Sequence, residues 1–150
     1  MDLLELKVKI YQRCIEKQKE LLENSKAAMD DAQKAANEYG PPKDRYDSFR
    51  TQLLRKRDLY AEQYEKALKE YGHLEILNPE IKYNRVDVNT LIITNKQKIY
   101  VSIGLGKIDL PEGDFFVVSP LAPIFQSLRG KKIGESITFN GQHIEIVDVV

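Results

Sequence analysis

The chain has 150 residues with 42% hydrophobic content, which is enough for one ordinary domain or two small ones around a modest core. Its 23 basic and 23 acidic side chains balance, so net charge does not favour non-specific binding to nucleic acid or to an anionic membrane. The sequence has no long apolar run and no amino-terminal signal segment, which predicts a cytoplasmic protein with no membrane partner.

A heptad pattern extends from Leu3 to about Tyr39 and predicts one long helix with a coiled-coil seam. At about 1.5 Å per residue this helix would be roughly 55 Å long, too long for the core of a compact domain of this size. The seam residues become small near the end of the helix, and Gln18 and Ser25 weaken the seam midway. The two rows of the seam contain Val8, Ile15, Leu22, Met29 and Ala36, and Tyr11, Gln18, Ser25, Ala32 and Tyr39.

The sequence Gly40-Pro41-Pro42 interrupts the helical pattern, because proline lacks the amide donor and clashes with the preceding turn. A second heptad pattern predicts a helix that returns antiparallel along the first, with Gly72 as its carboxy-terminal cap. We therefore predict a helical hairpin over residues 1–78 with its tip at residues 38–48. The seam of the second helix contains Tyr46, Leu53, Tyr60, Ala67 and Leu74, with Tyr64 and Tyr71 on the alternate row.

The second half of the chain, residues 79–150, has a strand-like period. It predicts a short helix over 119–130 and three strands, over 86–94, 99–103 and 115–118, which turns separate. We therefore expect a small antiparallel sheet with one helix packed on it, and an α+β protein overall.

The clearest β-hairpin of the chain lies near its end. Asn140-Gly141 is a strong two-residue turn signal, because both positions of such a turn need a positive φ. Ile137 and Phe139 precede the turn, and Ile144 and Ile146 follow it in alternation with polar residues.

Two acids three residues apart, Asp44 and Asp47, follow the helix reversal. In the first turn of the second helix they would lie together, where carboxylates cap free amides and meet the positive end of the helix dipole. Carboxylate oxygens are also the ligands that Mg²⁺ prefers, and hydrolysis of a phosphodiester commonly uses two such ions about 4 Å apart. Two carboxylates cannot complete such a site alone, so capping and metal binding both remain open. Glu38, a third tip acid, is expected to be solvated.

Motifs that would indicate a free-standing enzyme are missing from the sequence. Cys14 is the single cysteine, so no intrachain disulfide can form, and we expect it to be a small apolar residue beside the helix seam. His73 and His143 lie too far apart in sequence for a recognisable zinc spacing. No serine-nucleophile, zinc-protease or phosphate-loop motif occurs.

The sequence of the second half contains a specific signature: Ser119-Pro120, Ala122-Pro123-Ile124, Leu128, Gly130-Lys131, Gly134-Glu135 and the run from Ile137 to Val147. It resembles the carboxy-terminal signature of the Gre (GreA/GreB) transcript-cleavage factors, and is similar to a divergent branch typical of Bacteroidetes. The departures are Ala122 where the family often has serine, Phe125 where a small residue is usual, and Glu135 for aspartate. The resemblance implies a coiled-coil hairpin followed by an FKBP-like domain.

The resemblance also implies a function. Members of the family dock on bacterial RNA polymerase, insert the hairpin into its secondary channel and stimulate cleavage of backtracked RNA. Such a factor is not itself an enzyme, contacts the nascent RNA 3′ end only indirectly, and is expected to be a monomer. Its Mg²⁺ is shared with the polymerase active site and is not expected on the isolated protein.

Site residues follow from the same resemblance. The family tip has an aspartate and a glutamate three apart, and Lys43-Asp44-Arg45-Tyr46-Asp47 keeps this spacing with the shorter aspartate second. Asp44 and Asp47 are therefore the predicted catalytic and metal-binding residues, and Arg50, Arg55 and Arg57 are a predicted RNA-contacting patch, with ordinary coil surface as the alternative. The predicted polymerase-docking residues, for which burial against the sheet is the alternative, are Ser119, Pro120, Pro123, Ile124 and Phe125.

Three other functions remain open. A modulator that docks in the secondary channel without stimulating cleavage is favoured by Pro41, Pro42 and the change from glutamate to aspartate. A chaperone-like clamp would need exposed apolar residues at the tip, where the sequence is polar. A prolyl isomerase would need an aromatic pocket that is difficult to build without tryptophan.

Overall fold

The computed structural model describes residues 1–150 and contains three helices and six strands. None of the helices is long and apolar enough to cross a membrane. The helices are α1 (Leu3–Tyr39), α2 (Phe49–Glu75) and α3 (Pro123–Leu128), and the strands are β1 (Leu91–Thr94), β2 (Lys98–Val101), β3 (Gly106–Leu110), β4 (Gly113–Val118), β5 (Ser136–Phe139) and β6 (Gln142–Val149).

The chain divides into two compact units, one formed by residues 1–15 with 73–150 and the other by residues 16–72. The first unit contains the sheet and α3, and the second contains most of the two long helices. Ile10 and Cys14 of α1 lie in the same buried cluster as strand residues of the first unit, which is why these first turns group with the sheet. The domains at residues 1–78 and 79–150 stay a prediction.

The long helices confirm the predicted helical hairpin and change some of its details. Ala32 and Ala36, small seam residues near the end of α1, are buried as expected, whereas Met29 is half-buried. Gln18 is also buried, and its Nε2 donates a hydrogen bond to the Ala67 carbonyl at 2.8 Å, so this polar seam position joins the two helices. The predicted cap at Gly72 is wrong, because α2 continues to Glu75.

The sheet is mixed, and the prediction of an antiparallel sheet is wrong for one pair of strands. The strand order is β3-β4-β2-β1-β6-β5, and β2 pairs with β4 in parallel. The sequence pattern did not predict β3, which is joined to β4 by the two residues Pro111 and Glu112 and pairs antiparallel with it. This additional strand reverses the chain once more, so β4 runs in the same direction as β2.

The strand predicted over residues 86–94 is shorter in the structure, because residues 87–90 form a turn before β1. The Thr90 hydroxyl donates to the Asp87 carbonyl at 2.6 Å, and Asn89 has a φ of 72°. The final hairpin is confirmed: Ile137 pairs with Ile144, and Asn140 and Gly141 have φ angles of 50° and 76°. These two positive angles are those that a two-residue turn of this kind requires.

Each face of the sheet has its own buried cluster, because neighbouring residues of a strand point to opposite faces. Leu91 and Tyr100 belong to one cluster, and their neighbours Ile92 and Ile99 belong to the other. The first cluster contains Ile10, Cys14, Leu74, Leu91, Tyr100, Ile103, Ile108, Phe115 and Val117. The second contains Val86, Ile92, Ile99, Val101, Phe125, Leu128, Ile146 and Val149.

A fully buried amine, that of Lys7, lies beside the first cluster. Its Nζ donates hydrogen bonds to the main-chain oxygens of Ile81 and Val150 at 2.6 and 2.7 Å, and lies 4.7 Å from the centroid of the Tyr83 ring. Burial lowers the pKa of this amine from 10.5 to about 8, because the low-dielectric interior disfavours the charged form. Lys7 thus joins α1 to two distant segments of the first unit.

We predict that the free energy of unfolding rises with pH between about 8 and 10.5 because of Lys7. In this window the amine keeps its proton in the unfolded chain and has lost it in the folded one, so raising the pH favours folding. Urea unfolding at pH 7.5 and 10, compared between the natural chain and Lys7→Met, isolates this contribution. Lys19→Met changes an exposed lysine of the same helix and is the control. A natural chain and a Lys7→Met variant with the same pH dependence would contradict the prediction.

Candidate functional site

The candidate site is the loop of residues 40–48 that joins α1 to α2. Gly40 ends α1 with a φ of 77°, and its amide donates to the Ala36 carbonyl at 3.1 Å. A non-glycine residue rarely adopts this backbone conformation, so the glycine allows the helix to stop here. The exposed Pro41 and Pro42 then prevent the helix from resuming.

Asp44 and Asp47 lie in this loop, and their predicted position in the first turn of the second helix is wrong. The Asp47 amide donates to the Asp44 carbonyl at 3.2 Å, which closes a turn between the two acids. The first hydrogen bond of α2 runs from the Gln52 amide to the Ser48 carbonyl at 2.9 Å. Ser48 is therefore the N-cap residue, and both acids precede it.

The carboxylate of Asp47 accepts hydrogen bonds from both sides of the loop. Its Oδ2 accepts from the Tyr39 hydroxyl at 2.5 Å and from the Lys43 amide at 2.8 Å, and its Oδ1 accepts from the Phe49 amide at 3.0 Å. The Lys43 amide, then the Tyr39 hydroxyl and the Phe49 amide, lower the pKa of the Asp47 carboxyl below its ordinary value. Asp47 therefore caps the amide of Phe49, the first residue of α2, as the capping alternative predicted.

The carboxylate of Asp44 is more open. Its Oδ1 accepts a hydrogen bond from the Tyr46 amide at 2.7 Å, and no hydrogen bond reaches its Oδ2. The side chain is exposed and makes no ion pair. Asp44 is therefore the loop acid with an oxygen available to a ligand.

Two aromatic side chains of the loop region are exposed, contrary to the expectation of a polar tip. Tyr46, predicted on the seam of the second helix, is 79% exposed because the helix begins only at Phe49. The guanidinium of Arg45 lies 4.8 Å from the Tyr46 ring centroid and donates to its hydroxyl at 2.6 Å. Phe49 is 49% exposed. The loop region therefore exposes aromatic surface of the kind that a client-binding clamp needs, and this function stays open.

The three arginines of the predicted RNA-contacting patch differ in their partners. Arg57 donates to Gln33 Oε1 at 2.6 Å and pairs with Asp58, also at 2.6 Å. Arg55 is exposed, and Arg50 is half-buried with no partner for its buried Nε. Arg50 and Arg55 thus keep uncompensated charge, whereas much of the charge of Arg57 is neutralised.

The predicted docking residues are divided between the surface and the core. Pro123 is exposed, Ser119, Pro120 and Ile124 are half-buried, and Phe125 is wholly buried in the second cluster, where its side chain cannot touch a partner. Leu121, which is not among the predicted docking residues, lies between Pro120 and Pro123 and is 81% exposed. An apolar residue inside a proline-bounded segment was the available signal for it.

The loop residues fit only a small part of a Mg²⁺ site. Nowhere in the chain does a group of three or more His, Cys, Asp or Glu residues lie together so as to hold a metal ion. Asp44 Oδ2 is an oxygen ligand of the kind that Mg²⁺ prefers, whereas both Asp47 oxygens already accept hydrogen bonds. A divalent ion at this loop would therefore take most of its ligands from another molecule.

Solved structures that are similar to this chain along most of its length include two that are described as Gfh1. One, described as the transcription factor Gfh1, is 16% identical with a TM-score of 0.38, over 90% of this chain and 92% of that chain. The other, described as GreA factor homolog 1 (Gfh1) of Thermus thermophilus, is 14% identical with a TM-score of 0.34, over 91% of this chain and 94% of that chain. No protein-family model and no curated protein matches the chain. Both similarities are distant in sequence and in structure.

Proposed function

We propose that the chain is a transcription elongation factor that binds bacterial RNA polymerase in its secondary channel and stimulates cleavage of backtracked RNA. The observation that carries this proposal is Asp44, an exposed carboxylate with an open oxygen in a loop between two long helices. The carboxy-terminal signature that resembles Gre factors supports the same function. A hairpin loop of this kind suits delivery of a carboxylate into a narrow channel.

The proposed chemistry assigns different tasks to the chain and to the polymerase. A Mg²⁺ ion shared with the polymerase would supply activation of the attacking water and stabilisation of the leaving oxygen. Asp44 Oδ2 would be the ligand that this chain contributes, and the metal role of Asp47 stays a prediction. The chain alone, with one open loop carboxylate, is proposed to be an accessory factor without nuclease activity.

The other proposed contacts follow from exposure and charge. Pro123, the accessible parts of Ser119, Pro120 and Ile124, and the exposed Leu121 would dock on the polymerase. Arg50 and Arg55 have no acidic partner and would face the phosphates near the RNA 3′ end. The protein would act as a cytoplasmic monomer.

The test is RNA cleavage in a stalled, backtracked elongation complex of the cognate polymerase with Mg²⁺. We expect RNA shortened at its 3′ end to appear faster when the chain is added. Asp44→Asn should reduce this stimulation about tenfold or more, because loss of even an outer-shell partner of a metal ligand typically costs about tenfold. Asp31→Asn, an exposed acid on α1 that makes no ion pair, is the matched control and should retain full stimulation.

Two outcomes would contradict the proposal. Full stimulation by Asp44→Asn would show that this carboxylate does not act in cleavage. A chain that does not bind the polymerase would exclude a secondary-channel factor altogether, and suppression of the aggregation of an unfolded client would then identify a chaperone-like clamp.

A second candidate function is a secondary-channel modulator that binds the polymerase without stimulating cleavage. The observation that favours it is Asp47, whose two oxygens accept three hydrogen bonds within the hairpin and leave the loop with one open carboxylate. This candidate predicts binding to the polymerase and a changed rate of transcript synthesis, with no shortening of backtracked RNA.

A further inference from the structure

Tyr39, the last residue of α1, contacts the loop and the start of α2 at several points. Its hydroxyl donates to Asp47 Oδ2 at 2.5 Å, and its ring lies 4.8 Å from the Phe49 ring, measured between centroids. Lys43 donates from Nζ to the Tyr39 carbonyl at 3.0 Å and lies 4.7 Å from the centroid of the Tyr39 ring. A single side chain thus connects both helices with the loop between them.

The hydrogen bond from Tyr39 is one of three on the same carboxylate. The other two donors are the main-chain amides of Lys43 and Phe49, which are six residues apart at opposite ends of the turn. Because one carboxylate binds both amides, its position fixes the distance between the two ends of the turn. A hydrogen bond to an ionised acceptor is short and strong, so the Tyr39 hydroxyl restricts where this carboxylate can lie.

We infer that Tyr39 is a positioning residue: through Asp47 it holds the loop in the conformation that presents Asp44. This inference rests on the proposed function only for the role of Asp44 as a ligand of the shared Mg²⁺. In this arrangement Asp47 acts inside the loop, and Asp44 is the single carboxylate directed to the polymerase. Arg45 follows Asp44 and donates to the hydroxyl of the exposed Tyr46. If the turn opened, Arg45 and Asp44 would be displaced together.

The first measurement concerns the isolated protein and needs no polymerase. Tyr39→Phe removes only the hydroxyl and keeps the ring against Phe49. We expect hydrogen exchange at the amides of Lys43 and Phe49 to accelerate about tenfold, because the carboxylate that they bind loses a charge-assisted partner. Tyr64→Phe removes a hydroxyl of α2 that makes no hydrogen bond and should leave both amides unchanged. Unchanged exchange in Tyr39→Phe would overturn the inference.

The second measurement is a double-mutant cycle in the cleavage assay. Tyr39→Phe and Asp47→Asn should each lower the maximal stimulation about three- to tenfold, while the protein concentration for half-maximal stimulation stays the same. This separation is expected because the proposed docking residues, around Leu121, lie outside the loop. The double variant should have the same maximal stimulation as Asp47→Asn alone, because both changes remove the same hydrogen bond.

The inference and the proposed function can fail separately in these experiments. If Asp47→Asn raises the Mg²⁺ concentration that cleavage requires, and the two single effects multiply in the double variant, Asp47 is a metal ligand and the inference is wrong. If the natural chain binds polymerase without stimulating cleavage, the proposed function fails. The amide exchange of Tyr39→Phe then decides alone whether Tyr39 orders the loop.

Discussion

Phe125→Ala is expected to lower the free energy of unfolding by about 3–5 kcal/mol, the range for removing a buried phenylalanine. Phe125 is wholly buried in the second cluster, with Leu128 of the same short helix and strand residues Ile99 and Val101. The change leaves a cavity that this small helix cannot fill. Such a loss is a large part of the stability of a domain of this size, so the urea midpoint should fall strongly.

The neighbouring residue provides a control for this prediction and a link to function. Ile124→Ala shortens a half-buried side chain of the same helix and should cost clearly less stability. Phe125→Leu keeps most of the volume and allows polymerase binding to be measured on a folded chain. We expect Phe125→Leu to bind normally, and Leu121→Ala to bind more weakly. A small stability loss for Phe125→Ala would contradict the burial of this ring.

Asn89→Ala is the second change with a large expected effect, about 3–4 kcal/mol. The buried Asn89 side chain donates to the Asn78 carbonyl at 2.7 Å and to the Tyr83 hydroxyl at 3.3 Å, and accepts from the Tyr100 hydroxyl at 2.8 Å. Alanine would leave the Tyr100 hydroxyl, on a wholly buried side chain, without an acceptor. Equilibrium unfolding in guanidinium chloride measures the effect.

A comparison of two variants separates the side chain of Asn89 from its backbone. The φ of 72° is costly for alanine and free of steric cost for glycine, so Asn89→Gly should be less destabilising than Asn89→Ala by roughly 1 kcal/mol. Equal losses in the two variants would show that the positive φ contributes nothing to the cost. A loss below about 1 kcal/mol in both would contradict the role of the hydrogen-bond network.

The sequence determined those features of the fold that depend on local periodicity and turn chemistry. The heptad pattern gave the bounds of α1, Gly40-Pro41-Pro42 gave the point at which the helices reverse, and Asn140-Gly141 gave the final hairpin. Each of these signals involves residues close in the chain, so the backbone preference of a few side chains is sufficient to specify them.

Tertiary structure decided the features that depend on contacts between distant residues. β3 has a weak local signal and forms a strand through its pairing with β4, and this pairing makes β4 parallel to β2. α2 continues beyond Gly72 because Leu74 is buried in the first cluster and its carbonyl accepts from the Tyr11 hydroxyl at 2.8 Å. Neither effect can be predicted from residues that are close in sequence, because both depend on contacts with another part of the chain.

At the candidate site, too, the sequence determined some features and the tertiary structure decided others. The spacing of Asp44 and Asp47 drew attention to these two acids, and the sequence treated them as equivalent members of the first turn of the second helix. The folded hairpin makes them different, because Tyr39 at the end of one helix and Phe49 at the start of the other both donate to Asp47, whereas Asp44 accepts only from Tyr46. The sequence therefore determined where the acids lie along the chain, and the return of the second helix past Tyr39 decided which of them remains open to a ligand.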